Sequence, residues 1–197
     1  MEYVKDEIAA TAARLVVEEG LEYGPAKRRA VKQLGLTGRA GLPDNEQIER
    51  AVEEYIALFC ADSQAVELRA LRELALVWLQ RLQRFRPHLG GAVWRGTATR
   101  HSDIYIQLFC DDPKAAEIAL IDMGIRFEVS AVTGFQGEVV DALSVHARLP
   151  ELAVHVGVHL MVYDFDDLRG ALKSDTRGRK PRGDAAGLQV LLHDGSL

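Results

Sequence analysis

Cysteine is scarce in this 197-residue chain: Cys60 and Cys110 are the only two, and they lie fifty positions apart. That spacing matches no cysteine metal site and leaves no disulfide framework, so two reduced thiols in a cytoplasmic protein are expected. No apolar run approaches the roughly 18–20 residues that span a bilayer, so no membrane partner is expected. The start, MEYVKDEIAA, lacks the basic stretch and apolar core of a secretory signal. Positive charge is also short. Lys and Arg number 24 against 29 Asp and Glu, a net charge of −5. Broad nucleic-acid affinity is therefore disfavoured, because it rests on clustered cations. There is no internal repeat, no low-complexity tract and no Gly-x-x-x-x-Gly-Lys-[Ser/Thr] phosphate loop. What remains is an ordinary globular composition, 48% hydrophobic and 27% charged.

The first 89 residues read as a helical domain. Ile8, Ala12, Leu15 and Val16 recur at helical spacing up to Gly20. A short basic helix, AKRRAVKQLGL, follows the Gly24-Pro25 pair. Asp44 or Asn45 is placed to cap a helix running to about Phe59. Ser63 opens a longer helix, carried to Arg86 and stopped by Pro87. From Gly90 the period changes. AVWRGTA and SDIYIQLF read as strands joined by a hairpin over Ala98–His101. PKAAEIALIDMG reads as a helix, RFEVSAV, VVDALSVHA and VGVHLMVYDF as strands, and AAGLQVLL as a last helix. The fold class expected is α+β: a helical bundle over 1–89, then a mixed-sheet domain over 90–197.

One stretch carries chemistry, GGAVWRGTATRHSDIYIQLF. It resembles the signature of the DNA-polymerase-β-like nucleotidyltransferases, in which a strand ends in Gly-Ser or Gly-Gly and the next strand carries Asp-x-Asp. Alternate residues on a strand share a face, so such carboxylates sit side by side and can hold two Mg²⁺ ions on a triphosphate. On this resemblance Gly96-Thr97 is the phosphate-binding turn, with Arg95 and Arg100 beside it and Ser102-Asp103-Ile104 opening the metal strand. A second register uses Gly90-Gly91, with eleven residues between Gly91 and Asp103. The Gly96 register is preferred here because AVWRG supplies the strand.

The departures weigh as much as the matches. Tyr105 stands at the second carboxylate position, and His159, in GVHLMVYD, at the third. The ligand-binding set implied is Arg95, Gly96, Thr97, Arg100, Ser102 and Tyr105, for a nucleotide or another phosphorylated molecule. Asp103 is the one candidate catalytic residue. The cofactor implied is a divalent metal on Asp103 and His159, Mg²⁺ or Mn²⁺ ahead of Zn²⁺. A non-catalytic relative is favoured over an active transferase, unless Glu128 or another carboxylate completes the site. The longer pattern LPDNEQIE, LRALRELAL, GTATRHSDI and YDFDDLRGALK also resembles a group of proteobacterial proteins, some labelled muramate–alanine ligases. The missing phosphate loop rejects that activity.

Two other readings stay open. Lys27, Arg28 and Arg29, with the loop residues Arg177, Arg179, Lys180 and Arg182, are the candidate surface of a nucleic-acid- or protein-binding module. His101, His155 and His159 are the candidate ligands of a metal-dependent enzyme; His146 is a further strand histidine.

Overall fold

The structure, a computed structural model, describes residues 2–36, 41–175 and 178–194. It is α+β, as expected, and divides into two compact units. One comprises Met1–Glu67 with Thr97–Ser102, the other Leu68–Gly96 with Asp103–Leu197.

The first unit is built on three helices: α1 (Glu2–Glu19), α2 (Tyr23–Gln33) and α3 (Asn45–Phe59). α1 buries Ile8, Ala12, Ala13 and Leu15, α2 buries Ala26 and Ala30, and α3 buries Ile48 and Val52. The alanines keep the contact faces small, so the helices can approach closely and the branched residues fill between them. Asp44 caps α3 in a reciprocal box. Its Oδ1 accepts from the Gln47 N–H at 2.8 Å, and the Asp44 N–H donates to Gln47 Oε1 at 2.9 Å. Replacing Asp44 with Ala is expected to cost about 1 kcal/mol, and Asp44→Asn much less. An unchanged urea midpoint in Asp44→Ala would show that the box contributes nothing.

The segment 97–102 belongs to this unit and is not a hairpin tip. Thr99 donates from Oγ1 to Val17 O at 3.0 Å, Gln64 Nε2 donates to Ala98 O at 2.9 Å, and the Arg100 N–H donates to Glu67 Oε2 at 3.0 Å. Those bonds to helical residues replace the strand–strand pairing that the Ala98–His101 hairpin requires.

The long helix α4 (Gln64–Arg81) passes from one unit into the other and ends in a single 3₁₀ turn, Gln83–Phe85. The second unit continues with β1 (His88–Gly90), α5 (Gly91–Arg95), β2 (Ile104–Phe109), α6 (Pro113–Asp122), β3 (Glu128–Thr133), β4 (Val139–Leu149), β5 (Val154–Tyr163), α7 (Leu168–Ala171) and α8 (Ala185–His193). AVWRG is therefore a helical turn, and the strand before it is His88–Gly90. The reason is non-local. Arg72, a residue only 5% exposed, donates from its guanidinium to Val93 O at 3.1 Å and Trp94 O at 3.3 Å. It thus satisfies carbonyls that the end of a short helix leaves open.

The sheet order is β1-β2-β5-β4-β3, with β2 and β5 parallel and every other pair antiparallel. One face carries Ile104, Ile106, Leu108, Val156, Val158, Leu160, Leu143 and Val145, all buried, and forms the core. The opposite face changes character along its length. At one end Phe109, Val140 and Tyr163 pack with Phe135 and Leu168. At the other end it is polar. No helix among the described residues is long and apolar enough to cross a membrane.

Candidate functional site

Strand register brings the polar end together. Gly90 pairs with Tyr105, Tyr105 with His159, His159 with Ser144, and Ser144 with Glu128, so five residues form one row across the sheet. Paired residues share a face, and side chains two positions along a strand join them. Asp103, two before Tyr105, adopts that side at the entrance to β2.

The contacts are specific. Asp103 Oδ2 lies 3.1 Å from His159 Nε2, and Asp103 Oδ1 accepts from the Gly157 N–H at 2.8 Å. Tyr105 stacks on the His159 ring, with centroids 4.9 Å apart and planes 26° apart. On its other ring nitrogen, His159 Nδ1 is 2.9 Å from Ser144 Oγ. Burial alone would raise the Asp103 carboxyl, but the hydrogen bonds from His159 and Gly157 outweigh it and hold the group below the usual aspartate value.

Asp103, Tyr105 and His159 are thus brought together, as the alignment of the two strands requires. The Gly-Thr turn is placed differently. Gly96 closes α5 in the left-handed region, φ +92°, which accounts for a glycine there without a phosphate. Thr97 and Ser102 are buried in the helical unit, where Ser102 Oγ accepts from the Thr99 N–H at 3.0 Å. Arg100 and His101 belong to the same segment; Arg95 is in the last turn of α5. The strand before β2 ends in Gly90, and Gly91 follows it as the first residue of α5, so the glycine pair beside β2 is Gly90-Gly91. A Cβ on Gly91 would stand 3.5 Å from the Tyr105 ring.

A two-cation centre does not fit this donor set. Both Asp103 oxygens already accept hydrogen bonds, and the neighbouring positions hold a phenol and an imidazole, poor ligands for Mg²⁺. Among the described residues no group of three or more His, Cys, Asp or Glu side chains could hold a metal ion. Glu128 sits on β3, three strand spacings from β2, or about 14 Å away. His155 and His146 are exposed on this sheet face, in the rows beyond His159.

The basic N-terminal residues are partly engaged. Lys27 Nζ donates to Asn45 Oδ1 at 2.8 Å, and Arg29 pairs with Glu19. Of the basic loop, Arg177 lies outside the described residues. Arg179 bonds Asp175, Lys180 accepts at its carbonyl from Trp94 Nε1 at 2.8 Å, and Arg182 lies over the Phe135 ring at 4.6 Å.

Ser144 and Gly157 were not singled out in the sequence. Both are small residues inside β-prone runs, and only the β4–β5 register makes them neighbours of His159 and Asp103. No family model and no curated protein matches the chain.

Proposed function

We propose that this chain is a nucleotidyltransferase-like protein that binds a nucleotide or another phosphorylated ligand on the polar end of its sheet, without two-metal transfer. The observation that carries the reading is the convergence of Asp103, Tyr105 and His159, the three positions the resemblance reserves for carboxylates, on one face beside Gly90-Gly91. β1 ends in Gly90, Gly91 follows it, and the next strand is entered by Asp103, the order of elements that the resemblance describes.

The altered residues suit binding better than transfer. Tyr105 presents an aromatic face and a hydroxyl, and His159 a ring on which it stacks. Past Asp103 the same face continues into His146, Arg148 and His155, all exposed, which gives a basic rim for phosphate. The placement of the ligand moves from Gly96-Thr97 to Gly90-Gly91, because the Thr97 hydroxyl is buried.

Calorimetry and thermal melting with ATP, GTP, CTP and UTP test this, each with EDTA and with Mg²⁺. At a nucleotide concentration 100 times Kd, the protein should gain about 2.7 kcal/mol in either condition. His159→Ala and Arg148→Glu should lose most of that gain. No gain with any nucleotide or sugar phosphate would overturn the binding reading. Mg²⁺-dependent transfer of an α-labelled nucleotide, abolished by Asp103→Ala, would overturn the non-catalytic one.

A further inference from the structure

Three side chains of the sheet unit form a continuous relay. Asp103 is held by the Gly157 N–H at 2.8 Å and meets His159 Nε2 at 3.1 Å; His159 Nδ1 meets Ser144 Oγ at 2.9 Å. The proton positions follow from chemistry. A carboxylate only accepts, so His159 carries its hydrogen on Nε2, and its Nδ1 lone pair faces the Ser144 hydroxyl. The Tyr105 ring, stacked at 4.9 Å, fixes the plane of the imidazole. Position 157 is committed to this geometry as well. A Cβ there would stand 2.8 Å from Asp103 Cγ and from His159 Nε2.

Ser144 also has somewhere to act. It lines an open depression of about 570 Å³ together with Ile125, Arg126, Phe127, Glu128 and His146. The depression offers two apolar side chains for an acyl group. Arg126 and His146 are the donors available to a developing negative charge. A serine linked through imidazole to a carboxylate, facing a hollow with a cation in it, is the arrangement that nucleophilic acyl transfer needs.

We propose that Ser144 is a nucleophile activated by His159 and Asp103, and that it hydrolyses a carboxylic ester with an apolar acyl group. Ser144 Oγ bonds to the carbonyl carbon while its proton passes to His159 Nδ1. The bond from that carbon to the leaving oxygen then breaks, and the alcohol departs with the proton from Nδ1. Water, deprotonated at the same nitrogen, attacks the acyl-serine and releases the acid and free Ser144. One ester and one water give one acid and one alcohol. The site shares Asp103 and His159 with the nucleotide reading and does not depend on it.

The test uses a fluorophosphonate probe on the full chain, with intact-mass and peptide mapping, and p-nitrophenyl butyrate turnover. Wild type should take up one probe at Ser144. Ser144→Ala should take up none and lose turnover, and His159→Gln and Asp103→Asn should slow labelling on the order of 10²–10⁴-fold. Because Asp103→Asn could unfold the sheet, Ser144→Cys is a second probe. Its new thiol, paired with His159, should react with iodoacetamide faster than Cys60 of the same molecule. Absence of label, label at another residue, labelling indifferent to His159→Gln, or a new thiol in Ser144→Cys no faster than Cys60 would each overturn the proposal. A nucleotide-induced melting shift found alongside any of those failures would leave the binding reading standing alone.

Discussion

Gly20→Ala is expected to lower stability by about 3 kcal/mol, through left-handed backbone strain and a steric clash together. Gly20 ends α1 at φ +68°, and a Cβ on it would stand 2.0 Å from the carbonyl oxygen of His101. That oxygen is backbone, held in place by the bonds of Thr99 and Arg100 to the helical unit, so it cannot swing aside as a side-chain tip would. Gly35 separates the two contributions. It has nearly the same backbone, φ +65°, with nothing among the described residues within 4 Å of its would-be Cβ. Gly35→Ala should therefore show the strain alone, about 1 kcal/mol. Urea melts of both variants, read as midpoints at unchanged slope, make the comparison. Equal losses would mean that segment 97–102 does not rest against the end of α1.

Gly20 was legible as a helix stop, but not as a seat for a segment eighty residues away. The same division runs through the chain. Helices α1, α3 and α4 announced themselves because an amphipathic stripe and a capping Asp are local signals, and β2 to β5 because their runs are β-branched and bounded by turn residues. β1 was missed because three residues after Pro87 are too few to show a period. Its strand character comes from pairing with β2 and from the Leu89–Gly183 bridge. AVWRG was misread because Val and Trp favour strands, while a buried Arg72, more than twenty positions earlier, favours the helical turn. At the site, strand parity puts Asp103 and Tyr105 on one face, and the family resemblance adds His159 to them. Ser144 and Gly157 could not be placed in that way. Their places depend on where the chain turns between β4 and β5, a 3₁₀ turn at Pro150–Leu152 followed by Ala153 at φ +54°. A shift of one residue there would send Ser144 to the other face.

Gly157→Ala tests that register and the site at once. The added methyl would stand 2.8 Å from Asp103 Oδ1 and 2.8 Å from His159 Nε2, on a strand fixed on both sides by ladder bonds. Either the strand shifts or Asp103 withdraws from both donors. Overpacking plus an orphaned donor should cost about 2 kcal/mol at neutral pH. The pH dependence identifies which. Asp103 is held below its ordinary value, so its hydrogen bonds stabilise the fold above about pH 4 and are lost as pH falls through the folded-state value. If the variant severs those bonds, its deficit should shrink on acidification, because wild type then loses the same interactions. Loss of the Asp103–His159 contact should also be visible in the imidazole proton shifts at neutral pH. A deficit that stays constant into acid would assign the whole effect to crowding, with Asp103 keeping both hydrogen bonds in the variant.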